Sequence, residues 1–105
     1  MQNDKVLSML GLAAKAGKIK SGEFSTEQAV KSGQAYLVII SDEASDNTKK
    51  KFYNMTDYYH VPCYSYGDKE ALGKCIGKQF RASLAVTDQN LAQAVEDRLK
   101  MIKTE

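Results

Sequence analysis

The chain has 105 residues, of which 43% are hydrophobic and 27% are charged, a balance typical of a folded protein and not of a disordered segment. This length predicts a single domain over residues 1–105, because it leaves no room for a second core. The formal net charge of +2 identifies no partner by itself, so the position of the charges along the chain carries more information.

The N-terminal and cysteine patterns favour a cytoplasmic protein with no membrane partner. Residues 1–10 include the acidic Asp4 and lack the basic start and long apolar core of a signal peptide. No apolar run approaches the roughly 20 residues that a membrane span requires. Cys63 and Cys75 are expected to be two small buried hydrophobic residues, and neither a disulfide nor a ligand pair.

Periodic apolar residues predict five helices. In the first, Val6, Leu10 and Ala13 recur with Met9 on one face, and the glycines that follow helices are suited to left-handed helix ends. The first predicted helix is residues 3–17, with Asn3 as its cap, and the second is residues 21–33, with Ser21 or Ser25 as its cap. The third is residues 45–59, with Phe52, Met55 and Tyr59 on one side, and the fourth is residues 68–77, with Asp68 as its cap and Leu72, Cys75 and Ile76 facing inward. The fifth begins at residue 88, with Asp88 as its cap, and its buried stripe is Leu91, Val95, Leu99 and Ile102.

Three apolar segments predict strands, at residues 35–41, 61–66 and 82–87, and the short connection at residues 18–21 counts as a fourth, a brief edge strand. Residues 35–41, AYLVIIS, are rich in β-branched side chains and predict a central strand buried on both faces, with Leu84 and Val86 on a neighbouring strand. Helices alternate with these strands, a pattern typical of a sheet covered by helices on both faces. The expected fold class is therefore α/β, a three-layer α/β/α sandwich with a small four-stranded central sheet.

The sequence gives little support for catalysis. His60 is its one histidine, and it has neither a Cys-x-x-Cys nor a His-x-x-x-His pair, so the ligand sets of common metal sites are missing. His60 could act as a general base, but a lone histidine is more often a surface or partly buried residue with no catalytic role. Asp42 and Glu43 could form a carboxylate pair at a strand end, although adjacent side chains in a turn usually diverge. We therefore expect no enzyme activity, cofactor, metal or small-molecule substrate.

Two stretches of the chain contain cations but no acidic residue. They are residues 5–22, with Lys5, Lys15, Lys18 and Lys20, and residues 71–87, with Lys74, Lys78 and Arg81. The first stretch ends at Gly22, before a predicted helix, where a missing side chain and free N–H groups suit a phosphate. If the fold joins the two stretches, they form one basic face for a nucleic-acid backbone.

Several ordered segments resemble a known family. They are LGLAAKAGK at 10–18, SGE at 21–23, AVKSG at 29–33, LVII at 37–40, SDNTKKK at 45–51, VP at 61–62, KEALGK at 69–74 and LAVT at 84–87. This set covers almost the whole chain and resembles the kink-turn-binding ribosomal protein family, the large-subunit "seven-Ae" and "thirty-e" proteins, and within it the short bacterial YlxQ-like members. The resemblance implies an α/β/α sandwich that binds structured RNA.

The resemblance also implies where RNA is held. In the family, the start of the second helix and the loop before the last strand contact RNA, and here these are residues 18–28 and 77–82. Both lie close to the acid-free stretches. The RNA-binding residues expected on this basis are Lys15, Lys18, Lys20, Gly22, Phe24, Ser25, Gln28, Lys78, Gln79 and Arg81. The expected partners are structured RNA, ribosomal RNA or the ribosome.

The sequence departs from the family motif Gly-x-Asn-Glu-x-x-Lys, whose Glu and Lys contact guanine edges. Residues 22–28 are GEFSTEQ, so Phe24, Ser25 and Gln28 replace Asn, Glu and Lys. Ser25 and Gln28 can still form hydrogen bonds, but as neutral groups that discriminate less. Phe24 could stack on an unpaired base, but we expect it to pack under the helix.

Three functional hypotheses follow from these observations. The favoured one is non-enzymatic binding of structured RNA, either kink-turn-like or ribosomal. The alternative is a protein-interaction module on the same fold that has lost kink-turn recognition, as the three replaced motif residues suggest. A small enzyme that uses the carboxylates near Asp42 is the least favoured.

Overall fold

Helices and strands alternate along the chain as the sequence predicts. The computed structural model describes residues 4–103. The helices are α1 (Lys5–Lys15), α2 (Glu23–Lys31), α3 (Asp46–Tyr59), α4 (Lys69–Cys75) and α5 (Gln89–Lys103), and the strands are β1 (Ile19–Ser21), β2 (Leu37–Ile40), β3 (Cys63–Ser65) and β4 (Ser83–Val86). Each strand lies inside its predicted segment and is shorter than that segment.

The four strands form one mixed sheet in the order β1-β4-β2-β3. β4 is antiparallel to both β1 and β2, whereas β2 and β3 are parallel. Every residue of β2 and β4 is buried, and Leu37 and Ile39 lie opposite Val86 and Leu84. The predicted central strand and its neighbour are therefore confirmed, and β1 is an edge strand.

Successive side chains of the central strands point to opposite faces of the sheet, and each face packs on its own set of helices. Leu37 and Ile39 pack with buried residues of α1, α4 and α5. Val38 and Ile40 pack with α2 and α3, where Phe52 is the largest buried side chain. Helices thus cover both faces, and the three-layer α/β/α sandwich is confirmed.

Acidic side chains cap several helices. Asp4 caps α1, because its carboxylate accepts a hydrogen bond from the Leu7 N–H at 2.9 Å, whereas the predicted cap, Asn3, lies outside the described residues. The predicted caps Asp68 and Asp88 are confirmed by the same kind of bond. At the other helix ends, the predicted left-handed glycines are confirmed at Gly17, Gly33 and Gly77.

Two residues on the predicted apolar helix faces, one aromatic and one aliphatic, are exposed. Tyr59, the last residue of α3, is 40% exposed and packs edge-on against Tyr58, with 5.0 Å between the ring centroids. Ile102, near the end of α5, is 39% exposed. A helix of this length is ~22 Å long whereas the central strands span only ~13 Å, so the last turn of α5 extends beyond the sheet that buries its earlier residues.

Candidate functional site

The turn between β1 and α2 lies beside the start of β4. The Gly22 N–H donates to the Ser83 carbonyl oxygen at 3.0 Å, and Gly22 has φ +93°, a conformation that favours glycine. Gly22 is also the N-cap of α2, so the prediction of Ser21 or Ser25 as the cap is wrong. No described side chain caps this helix. The N–H groups of its first turn therefore remain available to an anionic ligand.

The loop before β4 is held against α4. The Lys78 N–H donates to the Gly73 carbonyl oxygen at 2.8 Å, and the Arg81 N–H donates to the Lys69 carbonyl oxygen at 3.1 Å. A Cβ added at Gly73 would overlap the carbonyl oxygen of Gln79 and lie 2.5 Å from its carbonyl carbon. The absence of a side chain at Gly73 thus allows the loop to approach α4 closely.

Arg81 joins the two acid-free stretches. Its Nε donates to the Ser21 hydroxyl oxygen at 3.1 Å, and its Nη1 donates to the Phe80 carbonyl oxygen at 2.8 Å. These bonds fix the half-buried guanidinium beside the Gly22 turn while leaving it further N–H donors, since a guanidinium has five. The fold therefore brings the loop before β4 to the start of α2, as the charge distribution suggested.

Lys20 and one side of α2 form a shallow groove with a volume of about 350 Å³. Its lining residues are Lys20, Phe24, Ser25, Gln28, Ser32 and Gln34. Phe24 is 74% exposed, so the expectation that it packs under the helix is wrong. The three positions at which the sequence departs from the family motif are thus all accessible at this groove.

The remaining predicted site residues are distributed around this region. Lys78 and Gln79 are exposed in the loop before β4. Lys18 lies at the opposite end of β1 from Gly22, where its carbonyl oxygen accepts a hydrogen bond from the Thr87 N–H at 2.8 Å. Lys15 lies on a different and larger groove, of about 810 Å³, between α1 and α4. The structure therefore does not bring Lys15 to the groove lined by Lys20.

The acidic residues of α2 are paired with lysines. Lys51 of α3 lies 2.9 Å from carboxylate oxygens of both Glu23 and Glu27, and Lys31 lies 2.7 Å from Glu27. Two hydrogen bonds lower the pKa of Glu27 to about 2, and the bond from Lys31 has a larger effect than the bond from Lys51. The negative charges nearest to the groove are thus compensated within the protein, which reduces their repulsion of an anionic ligand.

The depressed pKa of Glu27 predicts a pH-dependent contribution to stability. Because its pKa is lower in the folded chain than its ordinary value of 4.5, the contribution is present above about pH 4.5 and is lost as the pH falls towards 2. An NMR titration of the Glu27 carboxyl carbon should give a midpoint near 2 in the parent, and one closer to 4.5 in Lys51→Met. A parent midpoint near 4.5 would show that these ion pairs do not form in solution.

The candidate catalytic groups have structural partners instead. The Asp42 carboxylate accepts a hydrogen bond from the Ser65 hydroxyl at 2.6 Å, whereas the Glu43 carboxylate accepts one from the Lys69 N–H at 3.0 Å. The two carboxylates therefore bond to different elements of the fold, Asp42 to β3 and Glu43 to the start of α4. His60 is exposed, and its left-handed backbone conformation ends α3.

The two cysteines are free and half-buried. Burial raises the pKa of the Cys63 and Cys75 thiols to about 11, so both are largely protonated at neutral pH and are poor nucleophiles. Within residues 4–103, no group of three or more His, Cys, Asp or Glu side chains could hold a metal ion. In the same range, the helices are too short or too polar to span a bilayer.

Three residues of this region were not predicted from the sequence as site residues. They are Ser21, which accepts the Arg81 hydrogen bond, Gly73, which admits the loop, and Phe80, which is 63% exposed. A large apolar residue in a polar, acid-free loop was a signal for Phe80. The pairing of Ser21 with Arg81 had no local signal, because these residues are 60 positions apart.

The chain is similar in sequence to several known proteins. The chain is 40% identical to the RNA-binding protein YlxQ of Bacillus subtilis over 84 residues, which are 80% of this chain and 84% of that protein. It is 31% identical to the RNA-binding protein YlxQ of Enterococcus faecium, with 91% of this chain and 92% of that protein covered. It is 34% identical to the large ribosomal subunit protein eL30 of Neurospora crassa, with 85% and 84% covered.

Solved structures and a family model extend the comparison. A Bacillus halodurans protein of unknown function has a TM-score of 0.86 and 38% identity, with 89% of this chain and 94% of that chain covered. The 15.5kD RNA binding protein of Giardia lamblia has a TM-score of 0.79 and 20% identity, with 96% and 92% covered, and shows the shared fold. The model of the ribosomal protein L7Ae/L30e/S12e/Gadd45 family matches residues 4–96. The chain therefore belongs to the ribosomal protein L7Ae/L30e/S12e/Gadd45 family.

Proposed function

We propose that this chain is a single, non-enzymatic domain that binds structured RNA in the cytoplasm. The observation that carries the proposal is the hydrogen bond from Arg81 to Ser21, which joins a cationic loop to a helix start that no described side chain caps. The names of two relatives at 40% and 31% identity, each an RNA-binding protein, support the same conclusion.

RNA would be held mainly through its phosphates. The free N–H groups at the start of α2 and the remaining donors of Arg81 suit phosphate oxygens. The Lys20 ammonium, at the groove beside α2, and the exposed Lys18 and Lys78 add attraction that does not depend on sequence. Ser25 and Gln28 are accessible at the same groove and can form neutral hydrogen bonds with base edges.

We further propose ribosomal RNA or a kink-turn-like RNA as the partner, with the ribosome as its setting. The support is family membership and the similarity to the large ribosomal subunit protein eL30 of Neurospora crassa. The alternative is a protein-interaction module that has lost kink-turn recognition. The observation that favours it is the replacement of the motif Asn, Glu and Lys by Phe24, Ser25 and Gln28.

Removing three cations tests the phosphate contacts. The variant Lys18→Ala, Lys20→Ala, Arg81→Ala should bind structured RNAs of different sequence more weakly and by similar factors, because phosphates carry no sequence information. Each lost contact should reduce the slope of log affinity against log salt by roughly 0.7 to 0.9, or about 2 to 3 in all. Filter-binding titrations of a kink-turn RNA and of a fully paired duplex, at several salt concentrations, measure both quantities.

A second variant controls for net charge. Lys49→Ala, Lys50→Ala, Lys100→Ala removes the same charge from positions on α3 and α5, and should change the salt slope little. Equal slopes for the two variants would locate the binding surface elsewhere. If the parent binds neither RNA, the interaction-module hypothesis becomes the better one. Thermal melting of the variant Lys18→Ala, Lys20→Ala, Arg81→Ala establishes that the protein is still folded.

A further inference from the structure

The groove between α1 and α4 has a volume of about 810 Å³, and none of the described residues that line it also lines the groove beside α2. Its lining includes the half-buried side chains of Leu7 and Ile76 and the side chain of Leu12, which is 61% exposed. A single exposed leucine is ordinary on a protein surface, but Leu12 borders a concave surface that is mainly apolar. A surface of this shape and composition is a candidate for contact with a partner.

The two helices that form this groove are packed closely together. Gly11 of α1 lies against α4, where an added Cβ would be 2.9 Å from the Cys75 carbonyl oxygen. Leu10 of α1 and Leu72 of α4 belong to one buried cluster that also contains residues of β2 and β4. The groove is therefore formed before any partner arrives, and little conformational entropy is lost when it binds.

The charges at the groove favour an acidic partner. Apart from Asp4, its lining residues come from the two acid-free stretches, and they include the exposed Lys15 and Lys74. Asp4 lies at the opposite end of α1 from Lys15, and its two carboxylate oxygens accept hydrogen bonds from a backbone N–H of α1 at 2.9 Å and from the Tyr66 hydroxyl at 2.8 Å. Lys74 forms an exposed ion pair with Glu70 at 3.0 Å, and such a pair stabilises little in water. Both ammonium groups are therefore accessible to a carboxylate of a partner.

The lining favours a protein as the partner over a nucleic acid. None of the described residues that line the groove is aromatic, whereas unpaired bases stack on aromatic side chains. Aliphatic side chains suit an aliphatic lining, and an amphipathic helix carries them along one face. Acidic residues beside that face would lie opposite Lys15 and Lys74. A second copy of this chain fits less well, because a symmetric contact would place the same lysines opposite one another.

We infer that this groove binds an amphipathic helix of a protein partner, with aliphatic side chains against Leu12 and acidic side chains beside Lys15 and Lys74. The inference goes beyond the proposed RNA binding, because the groove has its own lining residues. It also differs from the interaction-module hypothesis, which requires that RNA recognition has been lost. The protein would hold an RNA and a partner protein at the same time, on two separate surfaces.

Selection from a phage-displayed library of random helical peptides tests the chemistry of the occupant. Peptides that bind the parent are depleted on Leu12→Glu, which places a carboxylate at an exposed position of the groove. The peptides that remain should combine an aliphatic stripe at helical spacing with Asp or Glu beside it. A selection that leaves no peptide, or leaves basic peptides, would overturn the inference.

Titration calorimetry with the most enriched peptide measures the separate contacts. Ser8→Glu, at an exposed lining position, should bind it at least about 10-fold more weakly, because its carboxylate repels the acidic side chains of the peptide. Lys15→Glu, Lys74→Glu should also lose affinity, more at low salt than at high salt, and should prefer a peptide in which Lys replaces Asp and Glu. Tyr58→Glu introduces the same charge at a residue that is 76% exposed on α3 and should bind as the parent does. Equal affinities of Ser8→Glu and Tyr58→Glu would show that the peptide does not bind in this groove.

Two further measurements distinguish the other possible occupants. Leu12→Glu should bind structured RNA as tightly as the parent does, and a loss of RNA affinity would assign the groove to the RNA-binding surface instead. Light scattering should show a monomeric parent, whereas a dimer that Leu12→Glu dissociates would assign the groove to a second copy of the chain. Either of these results would overturn the inference. Thermal melting of each variant confirms that it is folded.

Discussion

Replacing Gly73 with alanine is expected to destabilise the protein and to weaken its RNA binding together. In an ordinary helix the same change stabilises by about 1 kcal/mol, and Gly73 lies within α4. Here the new Cβ would overlap the carbonyl oxygen of Gln79, which is backbone and cannot rotate away. Overpacking of this kind costs about 1–3 kcal/mol. The loop that contains Lys78, Phe80 and Arg81 would have to move to remove the overlap. RNA affinity should therefore fall as well.

A second helical glycine provides the matched control. A Cβ at Gly11 of α1 would lie 2.9 Å from the Cys75 carbonyl oxygen, a milder overlap that involves no residue of the loop before β4. Gly11→Ala should therefore destabilise less and leave RNA affinity unchanged. Urea unfolding measures the two stabilities, and titration of a structured RNA measures the affinities. A Gly73→Ala variant that matched the parent in both would show that the loop is not held against α4 as described.

Restoring the family motif is expected to create tighter binding of kink-turn RNA. The variant Phe24→Asn, Ser25→Glu, Gln28→Lys returns the replaced residues at positions that line one accessible groove. A good charged contact to a base edge discriminates by about 1–3 kcal/mol, and the variant introduces two such groups. The result should be a gain of roughly tenfold or more, since two contacts of this size contribute about 2 to 6 kcal/mol.

A titration at fixed salt with a kink-turn RNA and a fully paired duplex of equal length decides this prediction. The gain should appear with the kink-turn RNA and not with the duplex. Circular dichroism confirms that the variant is folded. A folded variant with no gain would indicate that the loop around Lys78 and Arg81 has also diverged from the family. The kink-turn hypothesis would then be abandoned for this protein.

The layers of the fold could be predicted because their signals are local in sequence. The run from Leu37 to Ile40 is apolar at every position, and a strand with this composition is stable only when both of its faces are covered. In α1, Val6, Leu10 and Ala13 repeat with helical spacing, and all three are buried. Patterns of this kind depend on neighbouring residues alone, so they required no knowledge of the sheet order.

The start of α2 was predicted incorrectly because a tertiary contact decides it. Serine is a better helix cap than glycine in isolation, but the Gly22 N–H is bound to Ser83 and its φ is positive. Both features depend on β4, which is distant in sequence.

The exposure of Phe24, by contrast, did have a local signal. Phe24 is two positions before the buried Thr26, which places it about 200° around the helix.

The contacts that complete the site could not be predicted from the sequence. The bond from Arg81 to Ser21 exists because β1 pairs with β4, and no residue pattern specifies that β4 lies between β1 and β2. The close approach of Gln79 to Gly73 could not be predicted either, because the sequence around Gly73 has only the features of an ordinary helix end. Charge distribution and the family resemblance indicated two segments that the fold brings together, but the partners of individual side chains follow from the topology.

The anchored loop before β4 also has a consequence for the kinetics of recognition. Its N–H groups at Lys78 and Arg81 are bound to α4, so this loop is ordered before any RNA arrives, and its folding is not coupled to association. Binding should then show single-step association whose rate rises steeply as salt is lowered, as expected for electrostatically guided encounter with a rigid surface. Differences in affinity among RNAs should arise chiefly from differences in the dissociation rate of each complex. The heat-capacity change should be small, since no folding of this loop accompanies binding.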